Sequence, residues 1–113
     1  MIEHLQFLCR LCGFEYDAKK LPQQYLAIGK YIANNKDILS RNRYPSTVLV
    51  IGVCCLDLYN CNLPETAVLS IAASFFSRFP SNLAENPDFI GEDSIRNFLA
   101  KHIKQKRREL DGT

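Results

Sequence analysis

The apolar positions of this chain fall into spaced stripes arranged around one unbroken run. Residues 48–56, VLVIGVCCL, carry no polar side chain. Such a run suits either a buried strand or a helix that is apolar all round. The β-branched residues Thr47, Val48, Val50, Ile51 and Val53 favour a strand on propensity. Three features favour a helix. Pro45-Ser46-Thr47 has the chemistry of a helix start, with Ser46 or Thr47 able to cap free backbone N–H groups. The apolar pattern continues through Leu58 and Tyr59, a length ordinary for a helix and long for a strand. A second strand of similar quality is missing, and a lone strand leaves its backbone polar groups unpaired. The run therefore predicts a buried central helix over residues 46–60. It is too short to cross a bilayer, which takes about 20 apolar residues.

The stripes on either side have helical spacing. Ile2, Leu5, Leu8, Cys9 and Cys12 recur at intervals of three and four, and Gly13 follows as a natural C-terminal cap. Residues 16–20 read as a short connection. Pro22 suits the first turn of a second helix, whose stripe is Tyr25, Leu26, Ile28, Gly29, Ile32 and Ala33. Asn34-Asn35 weakens that helix, and residues 40–44 form a polar link. After the central run, Pro64 opens a further helix with Val68, Ile71, Ala72, Phe75 and Phe79 on one face. Ala67, Leu69 and Phe76 widen that face. The small residues Ser70, Ala73 and Ser74 permit close approach of a neighbour. Pro80 ends the helix, and residues 81–88 read as a loop. A last helix begins near residues 91–94, its packed stripe Ile95, Phe98, Leu99, His102 and Ile103. The expectation is an all-α fold: one domain over residues 1–113, a compact bundle of about five helices around the central one. At this length the chain can bury a core without staples.

Charge changes the picture at one end. The net charge is only +2. Residues 1–95 carry eight basic and ten acidic side chains. Residues 96–108 hold Arg96, Lys101, Lys104, Lys106, Arg107 and Arg108 and no acid. A slightly acidic body thus ends in a basic helix. The bland reading is a solvated helix end in a favourable dipole interaction. The functional reading is an electrostatic footprint for phosphate or for an acidic protein face, built from Lys101, Lys104, Lys106, Arg107 and Arg108 and extended by Arg41 and Arg43. The four residues Lys104, Lys106, Arg107 and Arg108 are expected to point away from the core.

The five cysteines, Cys9, Cys12, Cys54, Cys55 and Cys61, are odd in number. The N-terminus lacks the pattern of a signal peptide. Both points predict free thiols and a cytoplasmic protein, bacterial or within a host cell. Cys9 and Cys12 form a CxxC, but zinc needs four ligands and no second pair has matching spacing. At i, i+3 they share one helical face, the arrangement of two core cysteines. His4 and His102 stand alone. A nucleophile at Cys54 or Cys55, with His102 as base and Asp57 as orienter, needs an exposed electropositive setting that Ile51, Val53, Leu56 and Leu58 do not offer. No glycine-rich phosphate loop, GxSxG elbow or HExxH is present.

No catalytic residue, metal or cofactor is therefore expected. The reading is a non-enzymatic interaction protein (a regulator, adaptor, inhibitor or immunity-type protein) whose partner is another protein. The alternative is a nucleic-acid-binding regulator acting through the basic helix. Phe75, Phe76 and Phe79 are the candidate face for a homodimer, because the chain's aromatic content exceeds what a small core needs. Asp57, the charge inside the central segment, is expected either in solvent or paired with Arg41, Arg43 or Arg78.

Overall fold

The computed structural model describes residues 2–38, 44, 46–77 and 92–111, with the side chains of residues 46, 77, 92–96 and 98 excluded. All the regular structure described is helical. The elements are α1 (Ile2–Leu11), a single 3-10 turn (Ala18–Lys20), α2 (Leu21–Asn34), α3 (Ser46–Asn60), α4 (Glu65–Ser77) and α5 (Glu92–Asp111). Among the described residues the expected bundle of about five helices is what forms.

The ambiguous run is a helix, and it is the centre. Val48, Val50, Ile51, Val53, Cys54, Cys55 and Leu58 are all at most 2% exposed, so α3 is covered on nearly every side. Burial of this kind outweighs the strand preference of its β-branched residues. Each fully buried Val, Ile or Leu side chain contributes about 1.5–3 kcal/mol of transfer free energy, while β-propensity differences span only ~1 kcal/mol. Three helices cover α3: α2 most extensively, then α5, then α1. α4 packs against α2 and α5.

The α2–α3 contact is close because Gly29 permits it. A Cβ added there would lie 2.1 Å from the Cys55 carbonyl oxygen and 2.7 Å from the Cys55 carbonyl carbon and the Tyr59 Cβ. Backbone therefore meets backbone where the two helices cross. On α2, Gln24, Tyr25, Ile28 and Ile32 are buried with Gly29.

Local chemistry sets the ends. Gly13 takes φ +90° after α1. Its N–H donates to the Arg10 carbonyl, and the Phe14 N–H donates to the Cys9 carbonyl, both at 3.0 Å. This pair of bonds is a Schellman motif, and it turns the chain toward the connection to α2. There the Asp17 carboxylate accepts from the Lys19 N–H at 2.9 Å and starts the 3-10 turn. α2 ends as its asparagines suggest: the Asn35 side-chain amide donates to the Tyr31 carbonyl at 2.8 Å. Two residues past the end of α3, Asn62 takes a positive φ, +52°. Its N–H donates to the Tyr59 carbonyl at 3.3 Å. Asparagine tolerates this left-handed conformation better than most residues.

α4 departs from expectation in one respect. Ala67, Val68, Ile71, Ala72, Phe75 and Phe76 are buried as a broad face, but Leu69 is 39% exposed. One helix cannot turn every apolar position inward, and Leu69 lies opposite Ala67 and Ile71 on the helical circumference.

Candidate interaction site

The basic residues of α5 divide by their position around the helix. Leu99 and Ile103 are 0% and 5% exposed and mark the packed side. At 100° per residue, Lys101, Lys104 and Arg108 fall on the opposite side, and all three are exposed. They run along about 10 Å of helix at 1.5 Å per residue.

Lys106 and Arg107 do not project freely. Lys106 is partly buried and its ammonium lies 3.6 Å from the Glu109 carboxylate one turn on. Arg107 is exposed, but its guanidinium donates to the main-chain carbonyl of Cys61. That carbonyl lies just past the last turn of α3, at the negative end of the central helix's dipole. Arg107 is thus a capping cation for an element 46 residues earlier in the chain. Of the four residues expected to point away, Lys104 and Arg108 do so with no ion pair or hydrogen bond among the described residues, while Lys106 and Arg107 are engaged. Arg41 and Arg43, and the Arg78 considered for Asp57, lie outside the described residues. Asp57 itself is half-buried on the last turns of α3.

Phe75 and Phe76 are placed inside. They are 0% and 9% exposed, their rings meet edge to face with centroids 5.4 Å apart, and Phe76 lies 6.0 Å from the Tyr25 ring. Those contacts are made within one chain, so the two rings present almost no surface to a second copy. Phe79 lies outside the described residues.

Cys9, Cys12, Cys54 and Cys55 lie near one another on α1 and α3, whereas Cys61 lies past the end of α3 beside Arg107. All are free. Cys9, Cys54 and Cys55 are 0% exposed. Burial raises the pKa of each, and Asp57 adds to the rise at Cys54. Cys12 is half-buried and pushed up to about 11, by burial first and by Cys9 second. Cys61 is raised by burial, with Arg107 opposing and Asp57 reinforcing. Thiols held protonated are poor nucleophiles and poor metal ligands. Among the described residues, no three His, Cys, Asp or Glu side chains come together in a way that could hold a metal ion. His102 is half-buried and lines a small crevice with Ser70, Ser74 and Lys106 between α4 and α5. No helix among the described residues is long and apolar enough to cross a membrane.

One polar residue escaped the sequence reading. Gln24 is 6% exposed. Its amide oxygen faces the Cys9 thiol at 3.9 Å. The signal was present, since Gln24, Ile28 and Ile32 fall at successive intervals of four and share one line of α2.

The chain matches no protein-family model, no curated protein and no solved structure.

Proposed function

We propose that this chain is a non-enzymatic interaction protein that binds an acidic surface of a partner protein through the outward side of α5. The observation that carries the proposal is the line formed by Lys101, Lys104 and Arg108. These residues are exposed, opposite the packed side, and without an ion pair among the described residues. Two cations of the same helix are already used, one on Glu109 and one on Cys61. Among the described side chains of α5, the remaining three are the cations left to meet something outside the chain. The buried, protonated thiols support a role without nucleophilic chemistry.

Binding to a nucleic-acid backbone is the second reading. It is favoured by the same line of cations, which can track successive phosphates. It is disfavoured by the body of the chain, where acids outnumber bases over residues 1–95. A polyanion approaching α5 would also meet that body's field.

The test is a pull-down from native lysate, with and without nuclease, using the natural chain and a Lys101→Ala, Lys104→Ala, Arg108→Ala variant. A protein recovered by the natural chain after nuclease treatment, and lost by the variant, supports the first reading. Recovery that disappears with nuclease, together with an affinity for duplex DNA falling by about 2.7 in log K per log unit of salt, supports the second. Equal recovery by both chains refutes the site. Circular dichroism should be the same for both, because exposed charges contribute little to stability.

A further inference from the structure

A cleft of about 430 Å³ lies where the connection between α1 and α2 folds back over the start of α2, lined by Phe14, Glu15, Tyr16, Asp17, Lys20, Gln23, Gln24 and Ala27. Its volume falls within the range of small-ligand sites, about 300–1,000 Å³. What distinguishes it from an ordinary surface dip is Gln24. This side chain is 6% exposed, and its carbonyl oxygen is turned to the Cys9 thiol inside the protein. The amide nitrogen is thereby directed the other way. No described residue accepts a hydrogen bond from that nitrogen, yet it is not sealed in, because no fully buried side-chain nitrogen or oxygen lacks a partner. Its opening is the cleft that Gln24 lines. That donor reaches solvent through the cleft, so an acceptor seated there can take the place of water and bond to it.

The surrounding groups define what brings that acceptor. Glu15 and Asp17 supply negative charge at the rim, while Phe14, Tyr16 and Ala27 are half-buried and supply apolar wall. One Asp17 oxygen is held by the Lys19 N–H, which fixes the carboxylate in place. Lys20 adds a cation on the same rim.

We infer that this cleft binds an α-ammonium group with its adjoining carbonyl, as found in a free amino acid or at the N-terminus of a peptide. The ammonium goes to Glu15 and Asp17, the carbonyl oxygen accepts from the Gln24 amide, and an apolar side chain lies against Phe14, Tyr16 and Ala27. Lys20 meets the free carboxylate of an amino acid and has no such partner in a longer peptide. The site is separate from the cationic face of α5 and does not depend on it.

The test is a titration of the full chain, followed by ¹⁵N–¹H correlation spectra, with four probes: phenylalanine, phenylalaninamide, the dipeptide Phe-Gly-amide and N-acetyl-phenylalaninamide. Saturable shifts at residues 14–17, 20, 23, 24 and 27, including the Gln24 side-chain NH₂ pair, are expected for the probes with a free ammonium and not for the acetylated one. Tighter binding of phenylalanine than of its amide assigns the site to free amino acids; tighter binding of Phe-Gly-amide assigns it to peptide N-termini. Gln24→Met, similar in volume and without the donor, should weaken binding about tenfold. Should that variant unfold, Glu15→Gln with Asp17→Asn provides the same test from the rim. Those changes keep a side chain able to start the 3-10 turn. Absence of saturable shifts, equal binding of the acetylated probe, or unchanged affinity in both variants overturns the assignment.

Discussion

Replacing Gly29 with alanine tests the architecture at its closest point. On an isolated helix the change is favourable by about 1 kcal/mol, because glycine is a poor helix former. Here the new methyl would stand 2.1 Å from the Cys55 carbonyl oxygen and 2.7 Å from the Tyr59 Cβ, where ordinary contact begins at 3.4 Å. The obstacle is the backbone of a buried helix, so no side chain can swing aside. α2 must withdraw from α3 by about 1 Å, loosening the packing of its buried residues Ile28 and Ile32. Overpacking of a well-filled core costs typically 1–3 kcal/mol and occasionally more. A rigid obstacle belongs at the top of that range. After subtracting the propensity gain, the expected loss is about 2 kcal/mol, a fall in melting temperature of roughly 10 °C for a chain of this size. Urea unfolding followed by circular dichroism measures it, with Lys30→Ala on the exposed side of α2 as the control that should change little. A Gly29→Ala chain as stable as the natural one, or more stable, would refute the crossing at residues 29 and 55.

Other consequences are equally open to measurement. Ile51→Asp or Val50→Asp should abolish folding, since an unpaired charge in the centre of α3 costs more than a marginal domain can spare; a cooperative melt in either would mean the central helix is misplaced. Denatured protein treated with iodoacetamide without reductant should gain five adducts, while the folded protein at pH 8 should react at Cys12 and Cys61 before Cys9, Cys54 and Cys55. Cys12 is raised in the folded state from 9.0 to about 11, so its contribution to stability is complete below pH 9 and is lost as pH climbs toward 11; thermal melts flat to pH 8 and falling beyond 9 are expected, and a rise would contradict it. Arg107→Ala should lower stability by about 0.5–1 kcal/mol through loss of its bond to the Cys61 carbonyl, whereas Lys101→Ala should not; identical urea midpoints would show that the cap contributes nothing.

The helices were legible because their determinants are local. Pro64, the asparagines at 34 and 35, and the stripes at intervals of three and four lie within a turn or two of what they specify. Even the apolar run at 48–56 could be read correctly, since a strand there had nothing to pair with. What the sequence did not reveal depends on residues far apart in the chain. The burial of both Phe75 and Phe76 follows from α2 covering one flank of α4, with Tyr25 against Phe76. A single helical stripe cannot announce that. The attachment of Arg107 to Cys61 joins positions 46 residues apart, and both look like surface residues on their own elements. Gln24 is the instructive middle case. Its position on the buried line of α2 was visible, but its thiol partner, on α1, was not.

The bond from Arg107 to Cys61 also bears on when the fold is completed. During synthesis the central helix is finished long before the residue that caps its end exists. At about 5–20 residues per second, the intervening 46 residues take roughly 2–9 s to add. Throughout that interval α1 and α2 can already lie on α3, but the side that Leu99 and Ile103 later cover stays open. Until α5 has been made, the flank of α3 that it packs against lacks that cover.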